Sequence, residues 1–91
     1  MFTQLGNIYA TRGIADDTAK DPIFAAEVQK AFRRYQREDW GELDPEDKEL
    51  NREALEYGER ILAAYNTKRG KIWIITEWDR SATTVLYPSE Y

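Results

Sequence analysis

The chain has 91 residues and a formal net charge of −4, with 42% hydrophobic and 33% charged residues. This composition fits one domain with a small core and argues against disorder, and the acidic balance disfavours direct nucleic-acid binding, which needs a positive field facing the phosphates. Cysteine and histidine are both absent, which excludes disulfides, zinc–thiolate sites, thiolate nucleophiles and the commonest general base.

The elements follow in chain order. Gln4 to Arg12 reads as a first strand, with Leu5, Ile8 and Tyr9 as β-formers and Gly13 as its end. Gly13 to Lys20 reads as a polar connection. Asp21-Pro22 is helix-start chemistry: Asp caps free backbone N–H groups, and Pro fits the first helical position. Phe24, Val28, Ala31, Phe32 and Tyr35 then recur at three- and four-residue steps, which predicts a helix over 22–37. Its other face carries Lys30, Arg33, Arg34 and Arg37. Trp40 is expected to plug the core beside a turn at Gly41.

Asp44-Pro45 repeats the start signal. Leu50, Ala54, Leu55 and Tyr57 give a second helix an apolar face, and Gly58 is its expected stop. The boundary with the next element is blurred, because Ile61 and Leu62 continue the helical spacing. Arg60 to Tyr65 is read as the second strand, and Asn66 to Gly70 as a hairpin turn. Lys71 to Trp78 is the third strand and the longest run of β-branched and aromatic residues. Asp79 to Ala82 forms a turn and Thr83 to Tyr87 a fourth strand, which Pro88 ends by removing a ladder donor. The fold expected is α+β: an antiparallel sheet of about four strands packed with two helices, in a single domain spanning 1–91. No apolar run approaches the ~20 residues of a membrane span. The segment Met1-Phe-Thr-Gln-Leu-Gly6 also lacks a basic and then apolar leader pattern, so a cytoplasmic location is expected.

Four constellations carry chemistry worth weighing. Glu77 with Asp79, Asp39 and Arg80 could hold a divalent cation for hydrolysis, but Glu-x-Asp beside a turn is also ordinary turn composition. Arg12 could grip an anion or an acidic partner through its guanidinium, against the reading of a surface Arg near a turn. The cations from Lys30 to Arg37 and the acids from Glu42 to Glu56 both read first as solvated helix faces, although the acidic run could imitate a phosphate track. Trp73 and Trp78 stand five residues apart on a strand and so fall on opposite faces, which marks one of them as a binding contact. Ser81 and Ser89 lack an activating base within reach of sequence reasoning.

Thr11-Arg-Gly-Ile14, Asp39-Trp-Gly-Glu-Leu43, Ala63-Ala-Tyr-Asn66, Ile72-Trp-Ile-Ile-Thr-Glu77, Asp79-Arg-Ser81 and Pro88-Ser-Glu-Tyr91 together resemble a small group of bacterial proteins. These are carried on plasmids, prophages and integrative elements, and some bear the label "plasmid-related" or restriction-modification subunit. The resemblance spans nearly the whole chain and implies a mobile-element setting. A methyltransferase subunit is physically implausible, because 91 residues cannot hold a cofactor-binding α/β domain.

The expectation is therefore a non-enzymatic binding protein, without cofactor or metal and without a membrane role. It would act as a counter-defence inhibitor docking on a host protein complex such as a CRISPR effector or a restriction enzyme. The residues expected at its contacts are Arg12, Trp40, Trp73, Glu77, Trp78, Asp79 and Arg80. The alternative is a protein that sequesters a small nucleotide ligand between an aromatic ring and Arg12 or Arg80, with a metal-dependent hydrolase as a third class. An uncovered sheet edge would leave the chain a monomer or a homodimer.

Overall fold

A computed structural model describes all residues from Met1 to Tyr91. The chain runs β1 (Asn7–Ala10), α1 (Arg12–Lys20), α2 (Pro22–Gln36), α3 (Pro45–Tyr57), β2 (Ile61–Thr67), β3 (Gly70–Thr76), β4 (Ala82–Leu86) and a closing 3-10 turn, Pro88–Glu90. The α+β class stands, with three helices rather than two. The sheet order is β1-β4-β3-β2. The three later strands form the expected antiparallel meander. β1 lies parallel to β4, with Asn7 opposite Ala82 and Ala10 opposite Val85, so the sheet is mixed.

The two proline-led helices start where the sequence places them. The Asp21 carboxylate accepts from the N–H groups of Ile23 and Phe24 at 3.1 Å, and the Asp44 carboxylate accepts from Asp47 at 2.9 Å. Gly58 ends α3 at φ 72°, a left-handed conformation that costs glycine little.

The segment read as a polar connection is α1. It buries only Ile14, so it shows almost no apolar periodicity. Its amino-terminal cap comes from the far end of the chain. Glu90 accepts from the Thr11 hydroxyl at 2.6 Å and from the Gly13 N–H at 2.9 Å. A Cβ on Gly13 would sit 2.7 Å from that carboxylate.

One sheet face packs on the helices. Phe24, Ala31 and Tyr35 of α2 meet Ile61, Ala63, Tyr65, Ile72, Ile74 and Val85 in a core that Phe2, Leu5, Ile14, Trp40 and Ala54 complete. The hairpin tip is pinned to the α1–α2 junction. Arg69 and Lys68 reach Asp21 at 3.0 and 3.2 Å, and the Lys68 N–H donates to Glu27.

The two sheet edges differ. At β2 the edge is closed by side chain and loop. Asn51 of α3 donates to the Leu62 carbonyl at 2.8 Å and accepts from its N–H at 3.3 Å, imitating a strand. Glu42 donates to the Ala64 carbonyl, and Ala64 donates to that of Trp40. Gly41 sits in this bridge at φ 75°, where any Cβ would collide with the Ala64 carbonyl oxygen. At β1 nothing covers the outer side.

Candidate functional site

The residues singled out from the sequence separate into four places. Trp40 is in the core, 5% exposed, edge-on to Tyr35. It is the plug that the sequence suggested and offers a partner no surface. Arg12 is exposed at the start of α1. Glu77, Trp78, Asp79 and Arg80 form the β3–β4 turn, and Trp73 lies on the sheet face away from α2.

The β3–β4 turn is organised by Arg80. Its backbone adopts φ 60°, unusual for a residue with a Cβ. That conformation turns the guanidinium back under the turn. One Nη donates to the carbonyls of Glu59 at 2.6 Å and Glu77 at 3.2 Å, and the other to that of Ala54 at 2.9 Å. The guanidinium also stands 5.7 Å from the centre of the Phe2 ring. Arg80 thus adds a donor to the Ala54 carbonyl, which already accepts from the Gly58 and Glu59 N–H groups, supplies the Glu59 carbonyl just past α3, and ties that end to the turn. A long-range cap of this kind leaves no mark in the local sequence.

The turn's other polar groups are also engaged. Asp79 accepts from the Ser81 N–H at 3.0 Å, and hydrogen bonds from Ser81 hold its carboxyl below the usual range. Asp39 is held low mainly by Arg34, whose Nε donates to it at 2.7 Å, and it accepts from the Gly41 N–H. No group of three or more carboxylates is placed to hold a metal ion. The grouping of Glu77 and Asp79 with Asp39 therefore does not assemble as a metal site.

Above this clamp Trp78 stands 67% exposed, just beyond the end of β3. Tyr57, at the end of α3 and 70% exposed, belongs to the same end of the molecule, because Arg80 binds both segments. The result is a firmly supported turn carrying an exposed indole, Glu77 and Asp79.

No protein-family model, curated protein or solved structure matches the chain.

Trp73 belongs to a second feature, an open cleft of about 470 Å³ between α3 and the outer sheet face, lined by Leu43, Leu50, Leu62, Trp73, Arg60 and Tyr91 among others. The Trp73 and Tyr91 rings meet edge-on at 5.7 Å, and the Arg60 guanidinium lies 5.0 Å from the Tyr91 ring centre. An arginine beside aromatic rings was the requirement set for a nucleotide ligand. The arginine in place is Arg60, not Arg12 or Arg80. Sequence reasoning took Arg60 as the first residue of a strand of unsettled start and gave it no contact role; the strand begins one residue later, at Ile61.

The acids of α3, namely Glu46, Asp47, Glu49, Glu53 and Glu56, are all exposed. Arg52 pairs with Glu49 and breaks their run. On α2, Arg34 is taken up by Asp39 and lies over the Tyr65 ring, while Lys30, Arg33 and, just past the helix end, Arg37 remain exposed.

Proposed function

We propose that this chain is a non-enzymatic binding protein of a mobile genetic element that inhibits a host defence complex by docking on it. One observation carries the docking reading: Trp78 is exposed on a turn that Arg80 clamps from beneath. Binding energy concentrates in aromatic and arginine anchors, and an anchor held rigid before contact loses little side-chain freedom on binding. Glu77 and Asp79 flank the indole and would meet cations on a partner, such as a nucleic-acid channel of a nuclease complex. The mobile-element setting rests on the sequence resemblance.

The test is a plasmid or phage challenge of bacteria carrying an active CRISPR or restriction system, with and without the chain. Restored plasmid establishment or phage plating, lost with Trp78→Ala, is the expected result. Unchanged defence across such systems would sink the reading.

A second reading draws on the cleft beside Trp73. Its aromatic walls suit a planar ligand such as a nucleotide, with Arg60 as the cation and Asp47 as the one acidic side chain of the lining. A nucleotide that binds the native state alone would raise the melting temperature, and Trp73→Ala would abolish the rise. A flat thermal profile across a nucleotide panel would discard it.

A further inference from the structure

The uncovered edge at β1 lies beside an apolar groove, and the two features share residues. Asn7 and Thr11 donate to the carbonyls of Ser81 and Val85. With the parallel register, Asn7, Tyr9 and Thr11 therefore turn their backbone groups toward β4. The N–H and C=O groups of Ile8 and Ala10 consequently point away from the sheet, into solvent. The Ile8 and Ala10 side chains lie on the helix face, in register with the buried Thr83 and Val85. There they line a groove of about 300 Å³ whose floor and wall are Ile14, Val28 and Phe32. Ile8 is 57% and Tyr9 52% exposed.

Folded proteins usually blunt such an edge with charge, proline or a covering segment. This chain does so at β2, through Asn51 and the Trp40–Glu42 loop. At β1 it places no charged residue among those lining the groove. Two exposed cations adjoin it along the chain. Arg12 stands two residues beyond Ala10, the last residue of the β1–β4 ladder. Arg33 lies one helical turn beyond Gln29, which lines the groove, and neither arginine has an ion-pair partner in the fold. Asp16 sits one turn beyond Arg12 but does not pair with it.

We infer that the β1 edge and its groove accept an extended segment of a partner protein, added as a fifth strand, with alternate apolar residues in the groove and acidic residues at its ends. Main-chain bonding to Ile8 and Ala10 would supply register, and the groove side-chain selectivity. Charge argues for this occupant over a second copy of the chain. Pairing two β1 edges would bring two α2 helices, each with Arg33 exposed, toward the same junction. The inference rests on the binding-protein reading but not on the counter-defence setting, and a chain inert against every defence system could still select peptides.

The probe is a displayed library of random ten-residue peptides panned on the intact chain. The selected peptides are expected to alternate apolar and polar residues between acidic ends. On binding, the Ile8 and Ala10 amides, fast in hydrogen exchange in the free chain, should become protected. Ala10→Pro removes only an outward N–H, which edge strands tolerate. It should weaken the selected peptides by about tenfold, the scale of one lost backbone hydrogen bond. Arg12→Glu with Arg33→Glu should reverse the preference for acidic ends. The inference is overturned if panning yields no alternating peptide, or if the selected peptides leave the Ile8 and Ala10 amides unprotected. It also fails if those amides are already protected, in a concentration-dependent way, by a second copy.

Discussion

The Tyr35 hydroxyl lies 2.6 Å from the Thr76 hydroxyl in the core, and the chain of contacts fixes its direction. Thr83 donates to the Leu5 carbonyl at 2.7 Å. Each hydroxyl has a single proton. Thr83 must therefore accept from Thr76 at 2.7 Å, and Thr76 from Tyr35. The relay joins α2, β3, β4 and the amino-terminal segment. Thr76→Val removes its middle member and leaves the Tyr35 donor without a partner, at an expected cost of about 1–3 kcal/mol. Tyr35→Phe leaves only a lone pair unfilled and should cost less. Urea unfolding of the two variants would rank them, and the opposite order would contradict the direction of donation.

The same tyrosine makes the fold sensitive to alkali. Burial pushes the Tyr35 hydroxyl up to about 12 from its ordinary 10.0, and Tyr87 likewise, with the Asp17 carboxylate adding to the effect. The folded state therefore holds these protons more tightly than the unfolded chain. Their contribution is fully present below pH 10 and is lost as pH rises through about 12. Thermal unfolding followed by circular dichroism should show the midpoint falling across that window. Tyr35→Phe should flatten part of the slope.

At the acid end the sign reverses. The Phe24 N–H, then Lys68 and Arg69, lower the Asp21 carboxyl from 3.8 to about 2. The folded state releases this proton more readily than the unfolded chain does. Its stabilisation is present above pH 3.8 and is lost as pH falls through about 2. Asp21→Asn should lower the melting temperature at neutral pH and weaken its dependence on pH below 4. An unaltered acid limb would show that the hairpin tip does not depend on this carboxylate.

Asn51 protects the β2 edge in place of a strand. Asn51→Leu should leave the Leu62 N–H and C=O without partners, costing about 1–3 kcal/mol, and should open a pairing edge. Size-exclusion chromatography should then show association that grows with concentration. A monomeric Asn51→Leu chain of unchanged stability would refute the role.

What the sequence revealed divides by distance along the chain. Both helix caps at Asp21 and Asp44 act two or three residues away, and Gly58 and Gly70 mark their bends by positive φ. All were legible. The α1 cap comes from Glu90, some 77 residues away, and one buried residue gives α1 no periodicity. β1 reaches β4 without a turn to announce it, so a fully antiparallel sheet was the natural expectation. The polar turn Glu77–Arg80 was found as a group and read first as turn composition and contact residues, with metal chemistry as the lesser alternative. That Arg80 serves carbonyls 3, 21 and 26 residues off could not be read from spacing.

That clamp separates two roles that neighbouring residues play. Arg80→Lys keeps the charge but not the fork that spans three carbonyls, and should cost about 1.5–3 kcal/mol. Trp78→Ala, on the exposed side, should leave unfolding within about 0.5 kcal/mol of the parent while abolishing partner capture. Denaturant titration alongside a binding assay would read both. Equal stability losses would mean that the indole is part of the packing.

The parallel pairing of β1 with β4 has a consequence for biosynthesis. A nascent chain that has not yet released residues 82–86 from the ribosome has nowhere to lay β1, because Asn7 to Ala10 find their ladder partners only there. The first-made strand therefore waits for the last of the four, and the sheet can close only once that last strand has emerged.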